Sequence, residues 1–130
     1  MVFEYLKSQG LMPKIDEDND IIFKYQMLTF IYFNNDDDEQ FFRLALPGIF
    51  DVTDDSFAKA IMACNNINWN YKVVKAVLYD YEDGKDKGAS VWMCYEQVLD
   101  ATPDVNTLMH CALQSLVSAC EAFIKEMADD

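Results

Sequence analysis

The chain has 130 residues, of which 52% are hydrophobic and 14% aromatic, so it is neither disordered nor too short to bury a core. Its formal net charge of −13 repels phosphate backbones and anionic lipid headgroups, which argues against a nucleic-acid or membrane partner. These properties predict a single acidic domain over residues 1–130, in which the charge either serves solubility alone or helps to hold sticky or basic protein segments.

The first predicted element is a short helix over residues 2–9, which Gly10 can close in a left-handed conformation. A short strand over residues 11–15 and an acidic turn follow it. Ile21–Phe33 is then predicted to be one long strand, because its odd-numbered residues are apolar apart from Thr29. In this interpretation the odd-numbered side chains face the helices and the even-numbered ones face away from them.

The middle of the chain is predicted to hold a third strand and a helix. An acidic turn over residues 34–39 leads into a strand over Phe41–Leu46, which a Pro-Gly pair stops. Short polar turns between neighbouring strands indicate an antiparallel meander. A capped helix over about residues 54–66 follows, and a cluster of asparagines around Trp69 ends it in a turn.

Two more strands and a long helix complete the prediction. The strands cover Lys72–Tyr79 and Ala89–Leu99, with a charged loop between them. Thr102–Met127 has apolar residues at unbroken spacings of three and four, which places them on one stripe of a helix that Thr102 can cap. No run in the chain is expected to be long and apolar enough to span a bilayer.

The sequence gives little support to catalysis. Cys64, Cys94, Cys111 and Cys120 lie in apolar periodic stretches without a C-x-x-C pair, which is typical of reduced core or near-core thiols in a cytoplasmic protein. A nucleophilic cysteine would need a base, and His110 is the only histidine. It cannot readily pair with Cys111, because adjacent helical residues point about 100° apart. No hydrolase motif or glycine-rich phosphate loop is present, so we expect no catalytic residues and no cofactor.

One acidic turn has the spacing of a calcium loop. Asp16, Asp18 and Asp20 alternate as its ligands would. An EF-hand loop would then place glycine and glutamate where this chain has Ile21 and Met27. The mismatch favours a solvated turn without a metal.

The face of the sheet that the helices leave open is the candidate interaction surface. An antiparallel sheet covered on one side can expose its other side, and aromatic side chains there would form a protein-binding or self-pairing patch. Alternatively, the middle helix covers these residues or the phase of one strand is wrong. The candidate residues are Leu28, Phe30, Tyr32, Phe41, Val77, Tyr79 and Trp92.

The predicted order of elements resembles the type III secretion chaperone-like fold and, within it, the YbjN-type sensory transduction regulators. The resemblance rests on element order, small size, acidity and the long closing helix. It is carried by Ile21–Phe33, Phe41–Leu46, Asp54–Asn66, Lys72–Tyr79, Val91–Leu99 and Pro103–Met127. It implies a cytoplasmic, non-enzymatic protein, commonly a homodimer, and the secretion chaperones of this fold hold an extended segment of a client protein.

Together these observations predict an α+β domain of order α-β-β-β-α-β-β-α, with one five-stranded antiparallel sheet and helices packed on one face. The predicted function is a cytoplasmic, non-enzymatic binding or regulatory module that acts through apolar surface patches, on the aromatic side of the sheet or on the middle helix. Its expected partners are a second copy of itself and an unidentified client protein. The alternative is a small-molecule or divalent-metal-binding protein of the same fold.

Overall fold

The computed structural model describes residues 1–34, 41–83, 86–100 and 102–129. Within these ranges the helices are α1 (Val2–Ser8), α2 (Phe57–Asn70) and α3 (Val105–Ala128). The strands are β1 (Lys14–Ile15), β2 (Ile21–Tyr25), β3 (Leu28–Tyr32), β4 (Phe41–Val52), β5 (Val74–Asp83) and β6 (Asp86–Val98). They form one sheet of order β1-β2-β3-β4-β6-β5 in which neighbouring strands are antiparallel. The predicted α+β class and antiparallel sheet are confirmed.

The long strand predicted over Ile21–Phe33 is two strands, so the described sheet has six strands instead of five. Gln26 and Met27 join them, with φ values of 50° and 68°. Two successive left-handed residues are the geometry of a tight two-residue hairpin turn. Such turns usually contain glycine or asparagine, and neither is present, so the sequence lacks the ordinary signal for a turn.

The hairpin reverses the predicted orientation of three candidate interaction residues. Tyr25 and Leu28 pair across the turn and share a face, so the even-numbered residues of β3 join the helix side. Phe30 is fully buried there, and its ring stacks on Phe23 with 5.4 Å between centroids. The prediction that Leu28, Phe30 and Tyr32 lie on the open side of the sheet is therefore wrong.

β4 continues past the Pro47-Gly48 pair that was predicted to stop it. Pairing with β6 is regular up to Leu46, breaks at the pair and resumes at Phe50, with Gly48 at φ 59°. A bulge of this kind tolerates proline and glycine within a strand. It places Phe50 against α3, where its ring meets Phe123 edge to face at 5.8 Å between centroids.

Two predicted irregular segments belong to regular elements instead. α2 continues through the asparagine cluster to Asn70, and β5 and β6 continue as a hairpin into the charged loop predicted over Asp80–Gly88. The acidic turn predicted over residues 34–39 lies outside the described residues from residue 35 on.

All three helices pack on one face of the sheet, as predicted for the first and last of them. α1 adds Val2 and Leu6 to the core, and α2 adds Ala63, Cys64 and Ile67. α3 is the central helix, because its apolar stripe is covered by the sheet. Its buried residues are Met109, Ala112, Leu113, Leu116, Ala119, Cys120 and Phe123.

Two expectations about the last helix are corrected. α3 is long and apolar enough to cross a membrane by length and composition, contrary to the prediction, although one side of it is buried in the core. It begins at Val105 because Asp104, and not Thr102, is its cap. The Asp104 carboxylate accepts a hydrogen bond from the backbone N–H of Thr107 at 3.2 Å, and this bond lowers the pKa of Asp104 from its ordinary value.

Candidate protein-binding surfaces

In the described part of the chain, the helices leave one face of the sheet uncovered. Directly paired residues share a face, and one row of such pairs crosses all six strands on this side. The row consists of Lys14, Ile22, Ile31, Ala45, Cys94 and Lys75. Ala45 and Cys94, at its centre, are almost fully shielded from solvent but do not belong to the core under the helices. We call this side of the sheet the open face.

Three aromatic side chains gather on the open face of β5 and β6. Trp92 and Tyr79 are diagonal neighbours with 4.9 Å between ring centroids, and Val77 pairs with Trp92. The Tyr81 ring fills the space above Gly88, where a Cβ would come within 2.5 Å of the ring. Tyr79 and Tyr81 are 51% and 42% exposed. We name Val77, Tyr79, Tyr81 and Trp92 the sheet patch.

The predicted interaction residues that lie on the open face are Phe41, Val77, Tyr79 and Trp92. Tyr79 and Trp92 are in contact, whereas Phe41 lines a separate pocket beside Arg43. Their role in binding a protein stays a prediction. Tyr81 was missed because it was placed in a loop, although the alternation of residues 77, 79 and 81 could have indicated it.

Beside the sheet patch, two cations share one carboxylate. Glu96 forms an ion pair with Lys75, and its other carboxylate oxygen lies 3.8 Å from Nε of Arg43. The guanidinium carbon of Arg43 lies 4.4 Å from the centroid of the Phe33 ring. Among the described residues, the shielded Nε of Arg43 has no hydrogen-bond acceptor. A pocket of about 320 Å³ adjoins this cluster, lined by Asp20, Phe33, Asn34, Phe41, Arg43 and Glu96.

α2 carries a second exposed apolar surface. Trp69 is 86% exposed, and Met62, seven residues earlier on the same side of the helix, is 59% exposed. Phe57 and Ile61 are also exposed, and residues 60–71 contain no charged side chain. We name Phe57, Ile61, Met62 and Trp69 the α2 stripe.

Two hydrogen bonds to the following strand hold the last turn of α2, next to Trp69, in place. The Asn68 side chain accepts a hydrogen bond from the backbone N–H of Ala76 at 2.7 Å and donates one to its C=O at 3.1 Å. It thereby satisfies the backbone N–H and C=O of Ala76 on the edge strand β5, as a neighbouring strand would. Trp69, the next residue, points away from this contact and into solvent.

The titratable groups that could serve nucleophilic chemistry do not form a catalytic arrangement among the described residues. Cys64, Cys94 and Cys120 are buried, and burial raises the pKa of each thiol, so the reactive thiolate is scarce at neutral pH. Cys111 is exposed, so its prediction as a core or near-core thiol is wrong. His110 is exposed as well.

The acidic turn before β2 brings Asp16, Asp18 and Asp20 within 4.8 Å of one another, measured between carboxylate oxygens. The Asp16 carboxylate accepts hydrogen bonds from the backbone N–H groups of Asp18 and Asp20, both at 2.9 Å. Asp20 in turn accepts one from the backbone N–H of Asn34 at 3.1 Å. Hydrogen bonds within and around the turn are sufficient to hold this cluster together.

Comparison with known proteins identifies the family and supports the fold. A family model described as "YbjN: Putative bacterial sensory transduction regulator" matches residues 1–129. Among solved structures, the chain is similar to the crystal structure of YbjN, described as a putative transcription regulator from E. coli. The TM-score is 0.65 at 11% identity, over 95% of this chain and 87% of that one, so the likeness shows the fold alone. No curated protein sequence matches the chain. The resemblance to YbjN-type proteins noted in the sequence is confirmed.

Proposed function

Because the chain belongs to the YbjN family, we propose that it is a non-enzymatic cytoplasmic regulator that binds other polypeptides through its exposed apolar surfaces. The observation that supports this most is the Tyr79–Trp92 ring pair on the open face, which none of the described helices covers. Aromatic pairs offer a large, rigid contact area, and they are enriched where partners bind. The four unpaired cysteines support the cytoplasmic location.

The first test of this function is loss of a partner when the sheet patch is changed. A protein captured from the source cells by the wild-type chain is purified, and its affinity for Trp92→Ser is measured. We expect Trp92→Ser to weaken binding at least about tenfold, because a buried interface tryptophan carries much of the binding energy. Met12→Ser is the control, because Met12 is 84% exposed and lies outside both apolar surfaces. Equal affinity of the captured protein for both variants would contradict the role of the sheet patch.

The α2 stripe supports a homodimer. Two molecules that each carry a charge of −13 repel one another, so an uncharged apolar surface is where they can approach at the lowest electrostatic cost. The stripe combines such a surface with a tryptophan that is 86% exposed. Covering it against the same stripe of a second copy would give a two-fold symmetric interface.

Light scattering after size-exclusion chromatography tests the dimer. We expect wild-type protein to have twice the 15.0 kDa mass of one chain and Trp69→Asp to have the mass of one chain, because two carboxylates would meet across the symmetry axis. Trp92→Asp is the matched control and should remain a dimer. A wild-type monomer at all accessible concentrations, or a Trp69→Asp dimer, would show that the stripe does not mediate self-association.

A further inference from the structure

The two edges of the sheet differ in how they are protected against pairing with another strand. β1 is an edge strand of only 2 residues, and such short edges give an added strand little to pair with. β5, at the opposite edge, has 10 residues, contains no proline and keeps an unbroken register with β6. Long, regular edge strands present unpaired N–H and C=O groups to which another strand can bind. β5 is therefore the edge at which this sheet can be extended.

One position on the edge of β5 is already occupied. In an antiparallel ladder, every second residue of an edge strand directs its N–H and C=O away from the sheet. Ala76 is such a residue, because both of its groups bond to the Asn68 side chain. Leu78 and Asp80 follow at the same spacing, and among the described residues their outward backbone groups have no hydrogen-bond partner. The free part of the edge thus begins at Leu78.

The part of the chain that leads to this edge carries no acidic side chain. Residues 60–79, which include most of α2 and the first part of β5, contain Lys72 and Lys75 but no aspartate or glutamate, although 23 of the 130 residues are acidic. Two chains that each carry a charge of −13 repel one another least where they meet along such a run. A basic partner segment would have no carboxylate to pair with in it, so the run favours a second copy of this chain.

The α2 stripe borders the same edge. Successive helical residues are about 100° apart, so Phe57 and Ile61 lie within about 20° of Asn68 around the axis of α2. Because the Asn68 side chain reaches the edge of β5, these two exposed apolar residues face that side of the molecule as well. A partner bound at the edge of β5 would therefore also cover part of the α2 stripe.

We propose that two copies of the chain pair antiparallel through the free part of β5, with Tyr79 of each copy at the two-fold axis, so that their sheets become one continuous sheet. The inference rests on the proposed homodimer and specifies its geometry. It adds backbone hydrogen bonds to the apolar contact between the two α2 stripes.

The register follows by elimination. Paired residues of one sheet share a face, so a symmetric pairing is centred on a residue. Any centre before Tyr79 requires the backbone groups of Ala76, which are already bonded. Any centre after Tyr79 sets acidic side chains of the two copies directly opposite each other, which is destabilising. Centring on Tyr79 bonds Leu78 of each copy to Asp80 of the other, and it directs each Asp80 toward the half of the other strand that contains Lys75.

This register joins the two sheet patches. On the open face, the two Tyr79 side chains become neighbours across the axis, and Val77 of each copy faces Tyr81 of the other. Since Tyr79 also contacts Trp92, aromatic side chains would continue from one copy to the other. A polypeptide bound to the sheet patch would then lie across both copies.

Cysteine crosslinking tests the register. Facing residues of this kind have Cα atoms about 4.5 Å apart, within the range of a disulfide. The background is Cys111→Ser, which removes the exposed thiol. We expect Tyr79→Cys to form a covalent dimer under copper-phenanthroline oxidation. Val77→Cys and Tyr81→Cys should not do so alone, because each lies about 13 Å along the strand from its own symmetry mate, but the two mixed while reduced should crosslink to each other.

A substitution in the backbone gives a second test. Asp80→Pro removes an outward N–H that β6 does not use, and proline is tolerated on edge strands, so we expect a folded monomer by light scattering. Asp80→Ala is the matched control, because it also removes the carboxylate but keeps the N–H, and it should remain a dimer. Thermal melting establishes that each variant is folded.

The outcomes separate this inference from the proposed dimer. A dimeric Asp80→Pro protein, or a dimeric Tyr79→Cys protein that does not crosslink, would overturn pairing through β5 and leave the dimer to the α2 stripe alone. Crosslinking of Val77→Cys with itself would overturn the register. A wild-type monomer would overturn both proposals. If Asp80→Pro does not fold, the crosslinking pattern decides by itself.

Discussion

Replacing Phe123 with alanine is expected to lower the free energy of unfolding by about 3–5 kcal/mol, the usual cost of deleting a buried phenylalanine. Phe123 is fully buried on α3, and its ring meets Phe50 edge to face. The variant loses this ring contact and leaves a cavity beside the bulge of β4, which a close-packed core fills only in part.

Ile124→Ala is the matched control for this change. Ile124 is the next residue on the same helix but is 42% exposed, so its truncation should cost about 1 kcal/mol or less. Urea unfolding followed by far-ultraviolet circular dichroism gives the free energy of unfolding of both variants. The two free energies are comparable if they fall with urea concentration at the same slope. Similar losses for the two variants would mean that α3 is peripheral to the core.

α3 shows what a sequence can predict well. Its apolar residues keep helical spacing over many turns, and a strand or loop does not produce that pattern. The start of the helix was harder to predict, because Thr102 and Asp104 are both good capping residues. The choice between them follows from the carboxylate, which accepts the N–H of Thr107 while its second oxygen accepts the hydroxyl of the same residue at 2.9 Å.

The hairpin between β2 and β3 was not predictable from local preference. Left-handed geometry at Gln26 and Met27 costs of order 1 kcal/mol for each residue, and this cost favours a continuous strand. Contacts across the turn offset it, because Phe30 stacks on Phe23 and meets Tyr25 at 6.3 Å between ring centroids. These ring contacts exist only after the strands have paired, so no window of sequence shows them.

Only part of the two apolar surfaces could be predicted, because contacts between elements help to decide which side chains are exposed. Trp92 and Tyr79 were both predicted to lie on the face of the sheet that the helices leave open, and they do. The middle helix was predicted as the alternative interaction surface, but no residue of the α2 stripe was a candidate. Trp69 in particular was assigned to a turn, because the asparagines around it have the composition of one. Asn68 instead binds the edge of β5 at Ala76, a contact between a helix and the strand that follows it, which composition around Trp69 does not encode.

The corrected strand phase predicts opposite outcomes for two substitutions that the single-strand interpretation treats alike. Phe30→Asp is expected to unfold the domain, because it replaces a fully buried ring with a carboxylate, and the described core residues include no cation to pair with it. Burying such a group costs several kcal/mol, which is comparable with the total stability of about 5–15 kcal/mol of a small domain. Trp92→Asp, on the open face, should leave the fold intact and affect binding alone.

Circular dichroism and the dispersion of amide signals in NMR spectra distinguish these outcomes. We expect Phe30→Asp to lose the dispersed spectrum of a folded sheet and Trp92→Asp to keep it. Phe30→Leu should also fold, since a smaller apolar side chain leaves a cavity but adds no buried charge. A folded Phe30→Asp protein would mean that residue 30 faces solvent. In that case the turn at residues 26–27 would be absent, and the even-numbered residues of β3 would lie on the open face, as the continuous-strand interpretation requires.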